Sequence, residues 1–324
     1  MSSYPVLLFH SVDDRELLSF KDLGNIRPEL FEKLIIRLNK EFDIVSLKEI
    51  TEIIFGDEKP KDRLLALTFD DGPKSFVTHA VPVLDAYKLP SACFLITGSV
   101  NDRAIYWRYL FNFCIHKGFS RELADLIKDQ YRAFLLPDEI IRFSRDNYEK
   151  EKNLLILERI LEDLITEKEY RAQEKDLFLS FEDIRRLRDS PLVSFGIHTT
   201  SHPVLRCLSD EEIRDEIESS LDFYRIRIGD EKPMFSIPFG RLFVDYDERT
   251  LAIAKELSLR AIFSAYGGGN AIGQPFYNIR RISVNERSLT GGIEAFIKSL
   301  REPGFPGEYL DKEKRLAELL SRKA

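Results

Sequence analysis

Short strand-like apolar runs recur along this chain, separated by stretches with helical spacing. The runs are Val6–Phe9, Leu64–Phe69, Ala92–Ile96, Val193–Ile197, Met234–Ile237, Ala261–Ser264 and Ile279–Val284. Strands with few polar positions on either face suit a parallel sheet covered by helices on both sides. Their alternation with helical stretches predicts an α/β fold of the barrel type.

The intervening stretches carry helix punctuation. Pro28 suits the first turn of a helix whose apolar face is Leu30, Phe31, Leu34, Ile35 and Leu38. Ser209-Asp-Glu-Glu212 has the form of a capping box, in which the serine hydroxyl accepts an early backbone N–H and Glu212 reaches back. Residues 245–257 repeat the helical pattern, with Leu251, Ile253, Ala254 and Leu257 facing inward. From about residue 99 to 176 the alternation stops and the chain becomes charged and helical. Within it, Leu154, Leu157, Leu161 and Leu164 form a stripe expected to pack into a core. We read this stretch as a helical insertion beside the mouth of the barrel. No Gly/Ser-rich linker, low-complexity tract or internal repeat divides the chain, so residues 1–324 are expected to form a single elaborated domain.

Composition narrows the picture. With 324 residues, 44% of them hydrophobic and 32% charged, the chain can bury one large core. A formal charge of −7 and the lack of a Lys/Arg run argue against a nucleic-acid partner. No apolar stretch approaches the roughly 18 residues of a membrane span. The first ten residues lack both a basic segment and a long apolar run, so a cytoplasmic location is expected. Cys93, Cys114 and Cys207 show no C-x-x-C spacing and are expected to be buried thiols in a reducing compartment.

The chemistry lies where the strands end. The first run ends in His10, the second in Asp70-Asp71-Gly72-Pro73, and the fourth in His198, with His202 four residues on. The fifth ends in Pro238-Phe239-Gly240. In a parallel barrel these ends converge on one face, where catalytic groups sit. His198, His202 and one of the two aspartates make a two-nitrogen, one-carboxylate set for a catalytic cation, which zinc and iron(II) both accept. Adjacent carboxylates at a strand end point in different directions, so one can bind metal while the other faces a reacting water.

These residues resemble the polysaccharide deacetylases of carbohydrate esterase family 4, the NodB-type homology domain. Thr68-Phe-Asp-Asp-Gly-Pro73 is similar to that family's first motif, His198-Thr-Thr-Ser-His202-Pro203 to its second, and Pro238-Phe-Gly240 to the end of its third. The resemblance runs with gaps from about Val6 to Val284 and leaves the insertion uncovered. It implies a distorted TIM-like (β/α)7 barrel that hydrolyses the N-acetyl group of an amino sugar or an oligo- or polysaccharide intermediate. Carried over residue by residue, it makes Asp70 the general base and Asp71, His198 and His202 the ligands of one divalent metal ion. Zinc is foremost, with cobalt, nickel, manganese and iron also admissible. The Phe239 N–H would help hold the developing oxyanion, an interaction worth roughly 3 kcal/mol. Pro238, Gly240 and Arg241 would lie on the substrate side.

Two departures stand out. Ser236 occupies the place of the arginine that begins the third motif and positions the base. Arg241, Arg280 and Arg281 are the available substitutes, although surface ion pairing is the ordinary role of such residues. No histidine follows His202, so the family's late acid is missing. Leu8-Phe-His-Ser-Val12 looks like the start of the poly-N-acetylglucosamine deacetylase branch, in which an early histidine is the acid, and makes His10 the candidate. His79 and His116 are expected to be structural. Rival readings are a deformylase or cyclic-imide hydrolase on the same site, or a degenerate protein that binds glycan without turnover. The insertion could also dock a glycan-biosynthesis partner.

Overall fold

The computed structural model describes residues 3–229 and 232–321. Eight strands are present among them: β1 Val6–Phe9, β2 Asp43–Ile44, β3 Leu64–Phe69, β4 Ser91–Leu95, β5 Val193–Ile197, β6 Phe235–Ser236, β7 Ile262–Phe263 and β8 Ile282–Ser283. Seven follow one path in the order β7-β6-β5-β4-β3-β1-β8, all parallel, and β2 pairs with the start of β3. Phe263 at the end of β7 bridges Ile279, and Val284 donates to the Leu8 carbonyl. The segment 279–284, which carries β8 at one end of the path, thus pairs with β1 and also touches β7 at the other end, curling the sheet into a distorted (β/α) barrel. Six of the seven strand-like runs contain one observed strand each, and the remaining one, Ala92–Ile96, overlaps β4, which begins one residue earlier at Ser91. β2 has only two residues, one of them exposed, too short for an alternating pattern to register.

Alternation along the strands separates two apolar regions. Leu7, Phe9, Leu67 and Phe69 face outward, where the Pro28–Glu41 helix covers them with Phe31, Leu34, Ile35 and Leu38. Val6, Ala66, Phe94, Phe263 and Ile279 fill the interior, and the Leu47–Phe55 helix adds Leu47, Ile50, Ile53 and Ile54 to that cluster. The Ser209–Glu212 capping box forms in both directions and opens the Asp210–Arg227 helix. The helix expected from 245 starts later, at Glu248, because the Asp247 side chain caps it by accepting from the Arg249 N–H.

Between β4 and β5 the chain runs through six α-helices, from Trp107–Lys117 to Phe181–Leu187. The leucine stripe packs as expected at Leu157, Leu161 and Leu164 and fails at Leu154. In the Lys150–Asp163 helix the buried positions are Asn153, Ile156 and Ile160, while Leu154 is 51% exposed. Apolar residues crowd two adjacent faces of this helix; the isoleucine face turns furthest inward, and the leucine face packs half-buried beside it. Cys93 and Cys114 are buried, but Cys207 is exposed in the loop before the Asp210–Arg227 helix. No helix among the described residues is long and apolar enough to cross a membrane.

Candidate active site

His10 follows β1, Asp70 and Asp71 follow β3, His198 follows β5 and Phe239 lies just past β6. Parallel pairing brings these strand ends to one face. The turns that carry the polar groups are strained: Asp71, Thr199, His202 and Phe239 all have φ between 57° and 72°. Left-handed non-glycine residues cost about 1–3 kcal/mol each and persist where the surroundings hold them. Gly240 has a physical reason to be glycine: its φ is +71°, and an added Cβ would come within 2.6 Å of the Ala265 nitrogen.

Asp71 Oδ1 is buried and has no hydrogen-bond partner. It lies 3.5 Å from His198 Nε2 and 3.6 Å from His202 Nε2. Two ligands on a tetrahedral zinc would be separated by roughly 3.3 Å, given bonds of about 2.0–2.1 Å. The remaining ligand positions are held from behind. His198 Nδ1 is 2.7 Å from the Ser236 carbonyl oxygen; a carbonyl only accepts, so Nδ1 carries the proton and Nε2 presents a lone pair. His202 Nδ1 meets the Tyr106 hydroxyl at 2.8 Å, and the Tyr109 hydroxyl donates to Asp71 Oδ2 at 2.7 Å. Burial, with His198 and Arg108 nearby, pushes His202 well below the usual imidazole range. Asp71, His198 and His202 thus bring one carboxylate oxygen and two imidazole nitrogens within 4.8 Å of one another, a donor set that suits a divalent cation.

Asp70 is equally buried but differently occupied. Arg281 donates to both its oxygens, at 2.7 and 2.8 Å, and the Ser236 hydroxyl donates to Oδ2 at 2.9 Å. Burial alone would raise this carboxyl; the Arg281 guanidinium outweighs it and holds the pKa at about 2. Arg281 is 0% exposed, bonds the Ser264 carbonyl through Nε, and lies near the rings of Phe94 and Phe263. Surface ion pairing, the expectation for all three arginines, is therefore wrong for Arg281. Arg241 pairs with Asp245 and Asp146, and Arg280 with Glu313.

A cavity of about 200 Å³ opens above these groups, lined by His10, Asp70, Asp71, His198, His202 and Phe239 among others. His10 faces it from β1, and burial lowers its pKa, with Asp71 and Asp70 working in the opposite direction. The Phe239 ring packs edge-on to His202 at 4.7 Å.

The sequence profile of the polysaccharide deacetylase family matches residues 57–153 and 157–262, more than half of the chain. The chain belongs to the polysaccharide deacetylase family. This makes it a hydrolase of the carbohydrate deacetylase class. Its fold is similar to that of solved structures at low identity. IcaB from Ammonifex degensii matches at 17% identity over 92% of this chain and 98% of that one, with a TM-score of 0.63. Deacetylase PplD from Streptococcus pyogenes, solved with acetate, matches at 17% over 93% and 99%, with a TM-score of 0.61. A de-N-acetylase from Aggregatibacter actinomycetemcomitans matches at 15% over 91% and 100%, with a TM-score of 0.60. No curated protein matches by sequence.

Of the residues singled out in this deacetylase, Asp70, Asp71, His198, His202, His10, Phe239 and Arg241 line the one cavity. Pro238 and Gly240 are buried and do not; they shape the turn that carries Phe239. His79 and His116 lie within about 4 Å of Asp14 and Asp22, away from this cavity. Sequence reading missed Tyr106, Trp107, Arg108 and Tyr109. This run opens the first helix of the insertion, and three of its residues bond site groups, Trp107 through the His202 carbonyl. An aromatic-rich helix start reads as packing, and nothing in its spacing announces a hydroxyl aimed at a ligand.

Proposed function

We propose that this deacetylase is a metal-dependent N-deacetylase that removes acetyl from an amino sugar of an oligo- or polysaccharide intermediate. One observation carries the metal dependence: the buried, partnerless Asp71 Oδ1 beside the Nε2 atoms of His198 and His202. Asp71, His198 and His202 would hold the ion, with zinc as the first choice. When bound there, a divalent cation would polarise the scissile carbonyl and acidify the attacking water.

The chain's own groups divide the remaining work. Asp70, fixed by Arg281 and Ser236, accepts the proton of the attacking water. The Phe239 N–H donates to the oxyanion as the carbonyl carbon becomes tetrahedral. His10 gives a proton to the departing amine, since expulsion of an unprotonated amine is poor. Water adds across the amide bond, leaving free amine and acetate. We take the whole chain as one barrel unit with the 99–176 stretch inserted. The degenerate reading rested on Ser236 and the missing late histidine; the Arg281–Asp70 pair removes the first reason and supports an active enzyme.

The test is acetate release from N-acetylglucosamine oligomers, with N-formyl analogues alongside. Stripping metal with a chelator should abolish release and added zinc should restore it. His202→Ala should lose both metal and activity. Asp70→Asn should keep metal on elemental analysis while turnover falls by about 10²–10⁴. Full activity in metal-free protein would refute the metal assignment, and faster release of formate than acetate would shift the reading to a deformylase.

A further inference from the structure

Three arginines reach the active-site cavity: Arg108 and Arg145 from the insertion, and Arg241 from the turn after β6. Two of them are balanced. Arg145 Nε donates to Asp146 at 2.9 Å; Arg241 donates to both oxygens of Asp245 at 2.8 and 2.7 Å and reaches Asp146 at 3.0 Å. Arg108 is not. Among the described residues no carboxylate lies within ion-pair distance of it, and its Nε is buried without a hydrogen-bond partner. The guanidinium lies 5.3 Å from the centre of the Phe239 ring and near the Tyr106 hydroxyl.

A buried N–H without an acceptor is costly, and a guanidinium carries five donors in a rigid fork. The fork matches the paired oxygens of a carboxylate or phosphate, and stacking on a ring fixes its orientation before a ligand arrives. Phe239 also supplies the backbone N–H assigned to the oxyanion, so Arg108 sits beside the reacting amide. The protein as a whole carries a formal charge of −7. An unbalanced cation at this one cavity therefore runs against the general background of the chain and works where low dielectric strengthens it.

We propose that Arg108 is a substrate-binding residue that recognises an anionic group, a carboxylate or a phosphate, carried by the substrate near the acylated amine. The substrate is then an acidic amino-sugar derivative. This rests on the N-deacetylase reading and adds to it the charge of the substrate.

The experiment compares three substrates: a neutral N-acetylglucosamine disaccharide, N-acetylglucosamine 1-phosphate, and a disaccharide in which a uronate adjoins the N-acetyl sugar. In the wild type, kcat/KM for at least one acidic substrate should exceed that for the neutral one by tenfold or more. The phosphate and uronate arms tell which oxyanion is used. In Arg108→Gln this ratio should collapse toward one, with the loss carried by KM; Arg108→Lys should restore part of it. High salt should narrow the ratio in the wild type. A wild-type ratio near one, or a ratio that Arg108→Gln leaves intact, overturns the proposal, as does an equal loss of kcat on all three substrates.

Calorimetry keeps the two readings separable. If no substrate is hydrolysed, the deacetylase reading fails. Binding of glucosamine 1-phosphate and of the deacetylated uronate disaccharide against neutral glucosamine then decides the Arg108 claim independently. An affinity gain of tenfold for either acid, lost in Arg108→Gln, supports it; equal affinities refute it.

Discussion

Arg281 and Asp70 meet in a doubly hydrogen-bonded pair at 2.7 and 2.8 Å, although 211 residues separate them in the chain. The arginine starts from the last strand region, shares the inward parity of Ile279, and sends its guanidinium through the barrel interior to the floor of the site. The Ser236 hydroxyl bridges the two, accepting from Arg281 and donating to Asp70. A short residue stands where the family motif has its arginine, and the guanidinium reaches the same carboxylate from another strand.

Removing that guanidinium should be severe for both stability and rate. Breaking one side of a buried ion pair costs about 3–5 kcal/mol, because the remaining charge is left uncompensated. Arg281→Met should show that loss in urea unfolding, and its kcat should fall about a hundredfold or more as Asp70 loses its orientation. The reciprocal double variant Ser236→Arg/Arg281→Ser is more discriminating. It should recover at least tenfold of the activity lost in Arg281→Ser alone; no recovery would mean the serine position cannot serve the carboxylate in this barrel.

The insertion should also matter to the metal. Tyr106 and Tyr109 contact His202 and Asp71 on the side away from the cavity and orient them. Groups of this kind typically change metal affinity ten- to hundredfold when removed. Tyr109→Phe and Tyr106→Phe should each bind zinc more weakly by about that factor in a competition titration with a chromophoric chelator, and saturating zinc should restore most of the activity. An unchanged affinity in both would reduce these tyrosines to packing.

How far the chain could be read before its fold was known follows from the range of each signal. The strands and most caps are local: Ser209 and Glu212 lie three residues apart and bond each other. Asp70, Asp71, His198 and His202 could be grouped because parallel strands must end on one face. Arg281 could not be chosen over Arg280, since adjacent residues on a strand point to opposite faces and only the register decides which is inside. Tyr106 and Tyr109 escaped for a different reason, because an insertion has no barrel register to fix its position. Leu154 shows the limit of periodicity, since in a helix rich in leucine and isoleucine the spacing alone admits more than one inward face.

Gly240 offers a test of the oxyanion turn that leaves the polar groups in place. Alanine there must adopt φ near +71° and press its Cβ toward the Ala265 backbone at 2.6 Å. Backbone, unlike a flexible side chain, does not give way, so the turn should shift and carry the Phe239 N–H with it. Gly240→Ala should therefore lower kcat about a hundredfold, the range seen when one oxyanion donor is lost. Metal content should stay unchanged, because the turn supplies none of the proposed ligands. Wild-type kcat would detach the Phe239 amide from the oxyanion.

His10 can be tested through the leaving group. An amine must be protonated to depart, whereas a nitrophenolate leaves as an anion at neutral pH, so only the amide needs the acid. His10→Ala should slow acetate release from an N-acetyl amino sugar by about 10²–10⁴, and p-nitrophenyl acetate hydrolysis by far less. His10 faces the cavity without a hydrogen bond to another described side chain, so its loss should barely change thermal stability. Equal losses on the amide and the ester would mean that His10 shapes or polarises the site, and that the proton reaches the amine from another group.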